Sequence, residues 1–267
     1  MINDILTRNQ SLNRLSINRK EIIQWIDEMY QWLFATEESL ADEEAFSKAY
    51  TNLYKKLDMI LQQLPEQERV SAAFFSELNE THKILFLDLE AIYEFDPAAK
   101  SRDEIILSYP GFYAIAVYRL AHILWQLNVP VIPRIISEYV HGKTGIDIHP
   151  GATIGHSFFI DHGTGIVIGQ TAIIGNHVKI YQGVTLGALN VKKEEAETKR
   201  HPTIKNNVII YANATILGGK TVIGTDTVIG GNVWISSSVP AHSLVFNKSE
   251  IVIKSNKIFP EPLNFVI

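Results

Sequence analysis

His162 is the side chain here best suited to move a proton near neutral pH, because an imidazole ionises in that range without help from its surroundings. Asp147 lies 15 residues earlier, a spacing that in a coiled repeat could bring its carboxylate to the ring and fix the tautomer. Such a pair would be a Ser-His-Asp arrangement without the enzyme's own serine, with the activated hydroxyl supplied by the substrate. A positioned base of this kind contributes on the order of 10²–10⁴-fold in rate. The plainer reading is a turn histidine that caps backbone carbonyls.

Asp161, Arg200 and His201 form a second constellation. A guanidinium is a planar fork matched to a carboxylate, and an aspartate can hold an ammonium. Together they suit an amino acid better than a sugar. The alternative is that Lys199 and Arg200 simply end a solvated, charged loop containing Lys192, Lys193, Glu194, Glu195 and Glu197. His149, His156 and His177 raise a metal hypothesis, but they stand at different phases of the local repeat and three ligands must converge. No metal is expected.

The element that must position these residues runs from Gly145 to about Leu244. Aliphatic side chains recur there every six positions: Ile148, Ile154, Ile160; Ile168, Ile174, Ile180, Leu186; Ile204, Ile210, Ile216; Ile223, Ile229, Ile235. A period of six suits neither a lone helix nor a two-faced strand, so it signals a parallel β-helix of short strands with three hexapeptides to a coil. Glycines that follow the aliphatic residues are expected to accommodate strained turns. The period slips to eight between Ile160 and Ile168, beside Asp161 and His162, and to 18 between Leu186 and Ile204, ahead of Arg200 and His201. Insertions in a solenoid map to surfaces that bind. The repeat thus points to the same residues as the chemistry.

Upstream the pattern is helical. Asn18 with Glu21 marks a capped start, Asp42 opens a second amphipathic run that ends at Pro65, and a third covers roughly 67–94. Another helix follows Gly111, and Pro130 and Pro133 bracket a short connector into the coil. Three segments result: 1–140 helical, 141–246 coil, and a tail over 247–267.

The chain has 267 residues, 46% hydrophobic and 20% charged, with a formal net charge of −5. Mild acidity argues against nucleic-acid binding. No stretch reads as a signal peptide or membrane span. The absence of cysteine removes disulfides and thiolate chemistry, and a cytoplasmic protein is expected.

The motifs resemble the bacterial serine acetyltransferases over about residues 92–246. The residues that carry the likeness are Asp96-Pro97, Gly111-Phe112, Tyr118-Arg119 with His122 and Leu124-Trp125, Asp147-Ile148-His149-Pro150, Asp161-His162, Gly183-Val184-Thr185-Leu186-Gly187 and Arg200-His201-Pro202. The resemblance implies acetyl transfer from acetyl-CoA to L-serine in cysteine biosynthesis, by direct attack in a ternary complex. It makes His162 the general base, Asp147 its orienting partner, Asp96 and Asp161 serine-contacting carboxylates, Arg200 the carboxylate holder and His201 a neighbouring site residue. Gly187 and Ala212 fall where the family's backbone meets coenzyme A. A homotrimer or a dimer of trimers is implied, as is binding of O-acetylserine sulfhydrylase through the terminal Ile267. Gln170 departs from the family's frequent glutamate, and Lys220, Lys248 and Lys254 are candidates for the coenzyme's 3′-phosphate. The expected fold is α+β: an N-terminal α-helical domain followed by a C-terminal left-handed parallel β-helix of hexapeptide repeats. The alternatives are an acetyltransferase for another small hydroxylated acceptor, a β-helix scaffold, or a zinc hydratase of similar shape.

Overall fold

Six-residue periodicity closes into a triangular coil of about five turns, a left-handed parallel β-helix. The computed structural model describes residues 1–10, 12, 17–40, 42–64, 69–189 and 198–248. One face of the coil stacks Asp147–Ile148, Val167–Ile168, Thr185–Gly187, Thr215–Leu217 and Trp234–Ile235. The second stacks Thr153–Ile154, Ile173–Ile174, Thr203–Ile204 and Val222–Ile223; the third, Phe159–Asp161, Lys179–Tyr181, Ile209–Ile210, Val228–Ile229 and Leu244–Val245. All pairing is parallel, and the phase slips become register. Val167 faces Thr185 18 residues on, but Asp147 faces Val167 20 on and Thr185 faces Thr215 30 on.

Every aliphatic residue named from the period is inside, none more than 8% exposed. A second inward row two residues earlier escaped the reading: Ala152, Phe158, Ile166, Ala172, Val178, Val184, Val208, Ala214 and Val233 are all buried. Where that row is polar, the hydroxyl finds a carbonyl, Thr221 giving to Leu217 at 2.6 Å and Thr227 to Pro240 at 3.0 Å.

The glycines work differently from expectation. Of those following the aliphatic residues only Gly218 has a left-handed backbone (φ +102°). At Gly169, instead, a Cβ would run into the ring of His201 on the next coil, so close approach is what demands glycine there. Left-handed corner positions go to Ser157, His162, His177, Asn207, Asn213, Asp226, Asn232 and His242, several of them types that tolerate that region.

Seven helices precede the coil among the described residues. The first, α1 (Ile2–Gln10), buries nothing. Then α2 (Arg19–Leu33) starts on Asn18, whose side chain accepts from Lys20 N and donates to Glu21, and α3 (Glu43–Leu61) starts on Asp42, which accepts from Ala45 N. Three more follow: α4 (Val70–Phe95), α5 (Arg102–Ser108) and α6 (Pro110–Gln126). The expected connector around Pro130 and Pro133 is in fact followed by a 13-residue helix, α7 (Ile132–Thr144), with Pro133 in its first turn, where its missing N–H costs nothing. It ends on Gly145 at φ +73°, and the first strand begins at Asp147. None of the described helices is long and apolar enough to cross a membrane. Pro65, most of the charged loop, Lys254 and the tail with Ile267 lie outside the described residues.

The helical layer is fastened to the first coil by one buried ion pair. Arg119 of α6 donates Nε and Nη2 to Asp88 of α4 at 2.6 and 2.9 Å, and reaches the carbonyls of Ile154 and Gly155 at 3.2 and 2.7 Å. Asp88 also accepts from Phe158 N at 2.8 Å. Burial pushes the Asp88 carboxyl up, while Arg119 and the Phe158 amide oppose it. Tyr118 adds a hydroxyl bond to Ala152 O and His122 Nδ1 bonds Pro150 O.

Removing one partner strands the other in a dry interior. Asp88→Ala should therefore lower the free energy of unfolding in urea by about 3–5 kcal/mol, and Asp88→Leu with Arg119→Met should recover part of that loss. A single-variant loss under about 1 kcal/mol, the level of an exposed pair, would show the ion pair to be incidental.

Candidate active site

Two clusters of reactive side chains form on one chain, and the residues singled out from sequence are divided between them. The first sits where the third face turns toward the first. Asp161 ends its strand and His162 follows in the left-handed region (φ +55°), so the ring swings out of the coil and its side chain is 70% exposed. Its Nδ1 lies 3.6 Å from Asp161 Oδ1. The backbone is held by Gly163 N donating to Asp161 O at 2.6 Å and by Gly165 N donating to Gly145 O at 2.8 Å.

Asp96 arrives from the end of α4, where Pro97 stops the helix. Its Oδ1 accepts from Ala98 N at 2.8 Å and its Oδ2 from the Tyr109 hydroxyl at 2.7 Å. Burial first, then the bond and charge of Asp96, then Glu104 and Asp161, push Tyr109 up to about 12. Asp96 bonds Tyr109 directly, and the charge of Asp161 acts on the same hydroxyl more weakly. Tyr181, in register with Asp161, feels both as well and stacks on Tyr211 at 5.1 Å. The first cluster is thus an exposed imidazole beside Asp161, with a second carboxylate, Asp96, tied to Tyr109, and with Tyr181 sensing both acids.

The second cluster is a recess of about 320 Å³ lined by Arg134, Asp147, His149, Gln170, Arg200 and His201. Arg200 donates Nη2 to Gln170 Oε1 at 2.7 Å. Its backbone N and that of His201 both donate to Thr171 Oγ1, at 2.9 and 3.1 Å. Lys199 Nζ donates to the carbonyls of His201 and Pro202. His201 is held at about 4 by burial, then by the positive charges of Arg200 and Lys199; His149 is also held at about 4, by burial and then Arg134, Arg200 and His201. Burial raises Asp147, with His141 opposing it. Two neutral imidazoles and two guanidiniums around one carboxylate make a place for an anionic group.

Asp147 therefore lines the recess, and within one chain its carboxylate forms no ion pair with His162, which has Asp161 beside it instead. Gly187 closes a strand of the first face and Ala212 lies at a corner, its carbonyl accepting from Asn232 N; neither lines the recess. His149 stands against Trp125, whereas His156 and His177 face each other on successive coils at 5.1 Å. Among the described residues no group of three or more potential ligands could hold a metal ion. Tyr109, Arg134, Thr171 and Tyr181 were not read from sequence. Thr171 precedes His201 by 30 residues, and only the stacked register makes them neighbours.

No protein-family model matches the chain. It is similar to the plasmid serine acetyltransferase of Synechococcus elongatus, 52% identical over 148 residues, which are 54% of this chain and 46% of that protein. It is also similar to the serine acetyltransferase of Helicobacter pylori, 48% identical over 128 residues, 48% of this chain and 72% of that protein. The chain spans about half the length of the Synechococcus and Bacillus relatives it matches. Among solved structures it resembles Entamoeba histolytica serine acetyltransferase 1 in complex with L-cysteine (TM-score 0.77, 36% identity, 87% of each chain). It likewise resembles the Neisseria gonorrhoeae enzyme in complex with serine (0.64, 29%, 84% of this chain and 82% of that one) and a serine acetyltransferase complex with CoA (0.59, 28%, 85% and 96%).

Since His149 and His201 have values near 4 against an ordinary 6.5, both rings should stay neutral well below the usual histidine range. In a proton NMR titration their Cε1–H shifts should be flat from pH 8 to about 5.5. The protonation that the unfolded chain takes up on falling through about 6.5 then costs stability as pH drops toward 4. Midpoints near 6.5 for these two rings would contradict the burial.

Proposed function

The chain belongs to the serine acetyltransferase family, and from that premise we propose that it transfers the acetyl group of acetyl-CoA to the hydroxyl of L-serine. The products are O-acetyl-L-serine and coenzyme A, the first step of cysteine biosynthesis, carried out in the cytoplasm. The observation that carries the reading is Asp161 beside the exposed ring of His162, with Asp96 bonded to the Tyr109 hydroxyl on which the charge of Asp161 also acts. A neutral acceptor has no use for two carboxylates there, whereas an α-ammonium needs them.

In this mechanism Asp96 and Asp161 hold the serine ammonium, and Arg200, with His201 beside it, takes the carboxylate. The hydroxyl then lies against His162, whose Nε2 removes its proton as the oxygen attacks the thioester carbonyl. The tetrahedral intermediate collapses with cleavage of the carbon–sulfur bond, and the imidazolium returns the proton to the departing thiolate. No covalent enzyme intermediate forms. Backbone at Gly187 and Ala212 supports coenzyme A, with Lys220 or Lys248 for its 3′-phosphate. The relatives crystallised with serine and with CoA support both substrates. L-cysteine, found in the Entamoeba complex, has the same ammonium and carboxylate and would suit the same groups.

The division of the site supports an oligomer. His162, Asp161 and Asp96 lie in one cluster and Asp147, Arg200 and His201 in the other. A homotrimer of coils would set the recess of one chain against the His162 of its neighbour, and there Asp147 would orient the imidazole. The helical layer could pair two such trimers. O-acetylserine sulfhydrylase is the proposed partner of the tail ending in Ile267.

A thiol-release assay of acetyl-CoA against serine, homoserine, threonine and a galactoside tests the acceptor: serine should be turned over fastest, and a galactoside preference would overturn the reading. His162→Ala should lower kcat by about 10²–10⁴-fold while far-UV circular dichroism stays unchanged. Turnover close to wild type would remove the general-base role. Arg200→Ala should raise KM for serine far more than KM for acetyl-CoA, and equal effects would contradict a carboxylate contact.

A further inference from the structure

His201 is held from one side only. Thr171 N donates to its Nδ1 at 3.1 Å, and Thr171 Oγ1 lies 2.9 Å from the same nitrogen. That hydroxyl already accepts the backbone N–H groups of Arg200 and His201, so its own proton is directed to Nδ1. With two donors aimed at it, Nδ1 carries a lone pair and the ring proton resides on Nε2. The Nε2 edge lies over Gly169, where a Cβ would collide with it, and has no hydrogen-bond partner among the described residues. It opens into the recess that Arg200 lines.

We propose that Thr171 is a positioning residue: its amide and hydroxyl lock His201 as the Nε2–H tautomer, so that the ring offers a fixed, neutral donor to a carboxylate held by Arg200. The opposite tautomer would turn a lone pair toward that carboxylate and repel it. A protonated ring would add one more cation to Arg200, Lys199 and Arg134, with Asp147 the one acid among the described residues lining the recess and His149 neutral. Thr171 touches no substrate atom; it works through His201. The kinetic consequence rests on the acetyl-transfer reading above, whereas the tautomer does not.

Two measurements test the proposal. Long-range ¹H–¹⁵N correlation of the substrate-free wild-type protein at pH 7, with His201 identified from the spectrum of His201→Gln, should show a pyridine-like Nδ1 and a pyrrole-like Nε2. The reverse pattern overturns the proposal and needs no variant to fold. Thr171→Val keeps the shape and removes the hydroxyl. It should populate the Nδ1–H form, or raise the ring's titration from about 4 toward the ordinary 6.5. It should also raise KM for serine about tenfold with KM for acetyl-CoA little changed, and Thr171→Ser should restore both. An unchanged spectrum and an unchanged KM for serine in Thr171→Val, or equal rises in both KM values, would sink it. A wild-type protein that shows the stated tautomer yet never acetylates serine would instead sink the reading of the recess.

Discussion

A guanidinium without solvent must be answered by protein, and the interior of this molecule is arranged around one such answer. Arg119 is 7% exposed, and Asp88 and two main-chain carbonyls take four of the five N–H groups that water would otherwise have met. Because Asp88 also takes the amide of Phe158, the same pair holds the strand that ends at Asp161. Asp88 stands on α4, whose last turn delivers Asp96. One ion pair therefore ties the helix that delivers Asp96 to the segment that leads into Asp161. An exposed pair could not do this, since its geometry would be worth little against side-chain entropy.

The coil contributes rigidity of another kind. Each turn rests only on its neighbours, and its strands are two or three residues long, so an insertion is tolerated wherever it can leave through a corner. The two extra residues after Ile160 lift His162 into solvent. The larger excursion after Leu186 returns Arg200 and His201 beside Gln170 and Thr171, one coil away in space but 30 positions away in sequence. Chemistry gathers at the interruptions because the uninterrupted wall has no room for it: inward positions are nearly all apolar, and strands offer only one outward residue or two.

Charge is divided between the clusters in a complementary way. A carboxylate, Asp161, stands beside His162, while the recess holds guanidiniums and imidazoles kept neutral by burial. A zwitterion spanning them would meet the right sign at both ends, with an alcohol left beside the base. Neutral imidazoles matter here, since they donate hydrogen bonds without adding charge to a region already occupied by Arg134 and Arg200.

Much of this was legible from residue order alone. The six-residue period identified the coil and one of its two inward rows, because an inward aliphatic residue is a local requirement repeated every hexapeptide. The slips in that period marked where His162 and Arg200 would emerge, and the motifs gave the family. The glycines misled, since close approach between coils leaves the same residue type as a strained turn does. The helix α7 went unseen behind two prolines. What only the folded chain decided was partnership: that Tyr109 holds Asp96, that Thr171 grips His201, and that Asp147 shares a recess with Arg200 rather than pairing with His162 within a single copy. Those pairings join residues 13, 30 and 53 positions apart in sequence, and for the two within the coil the stacking register that brings them together is set by the length of the insertions rather than by any residue in the pair.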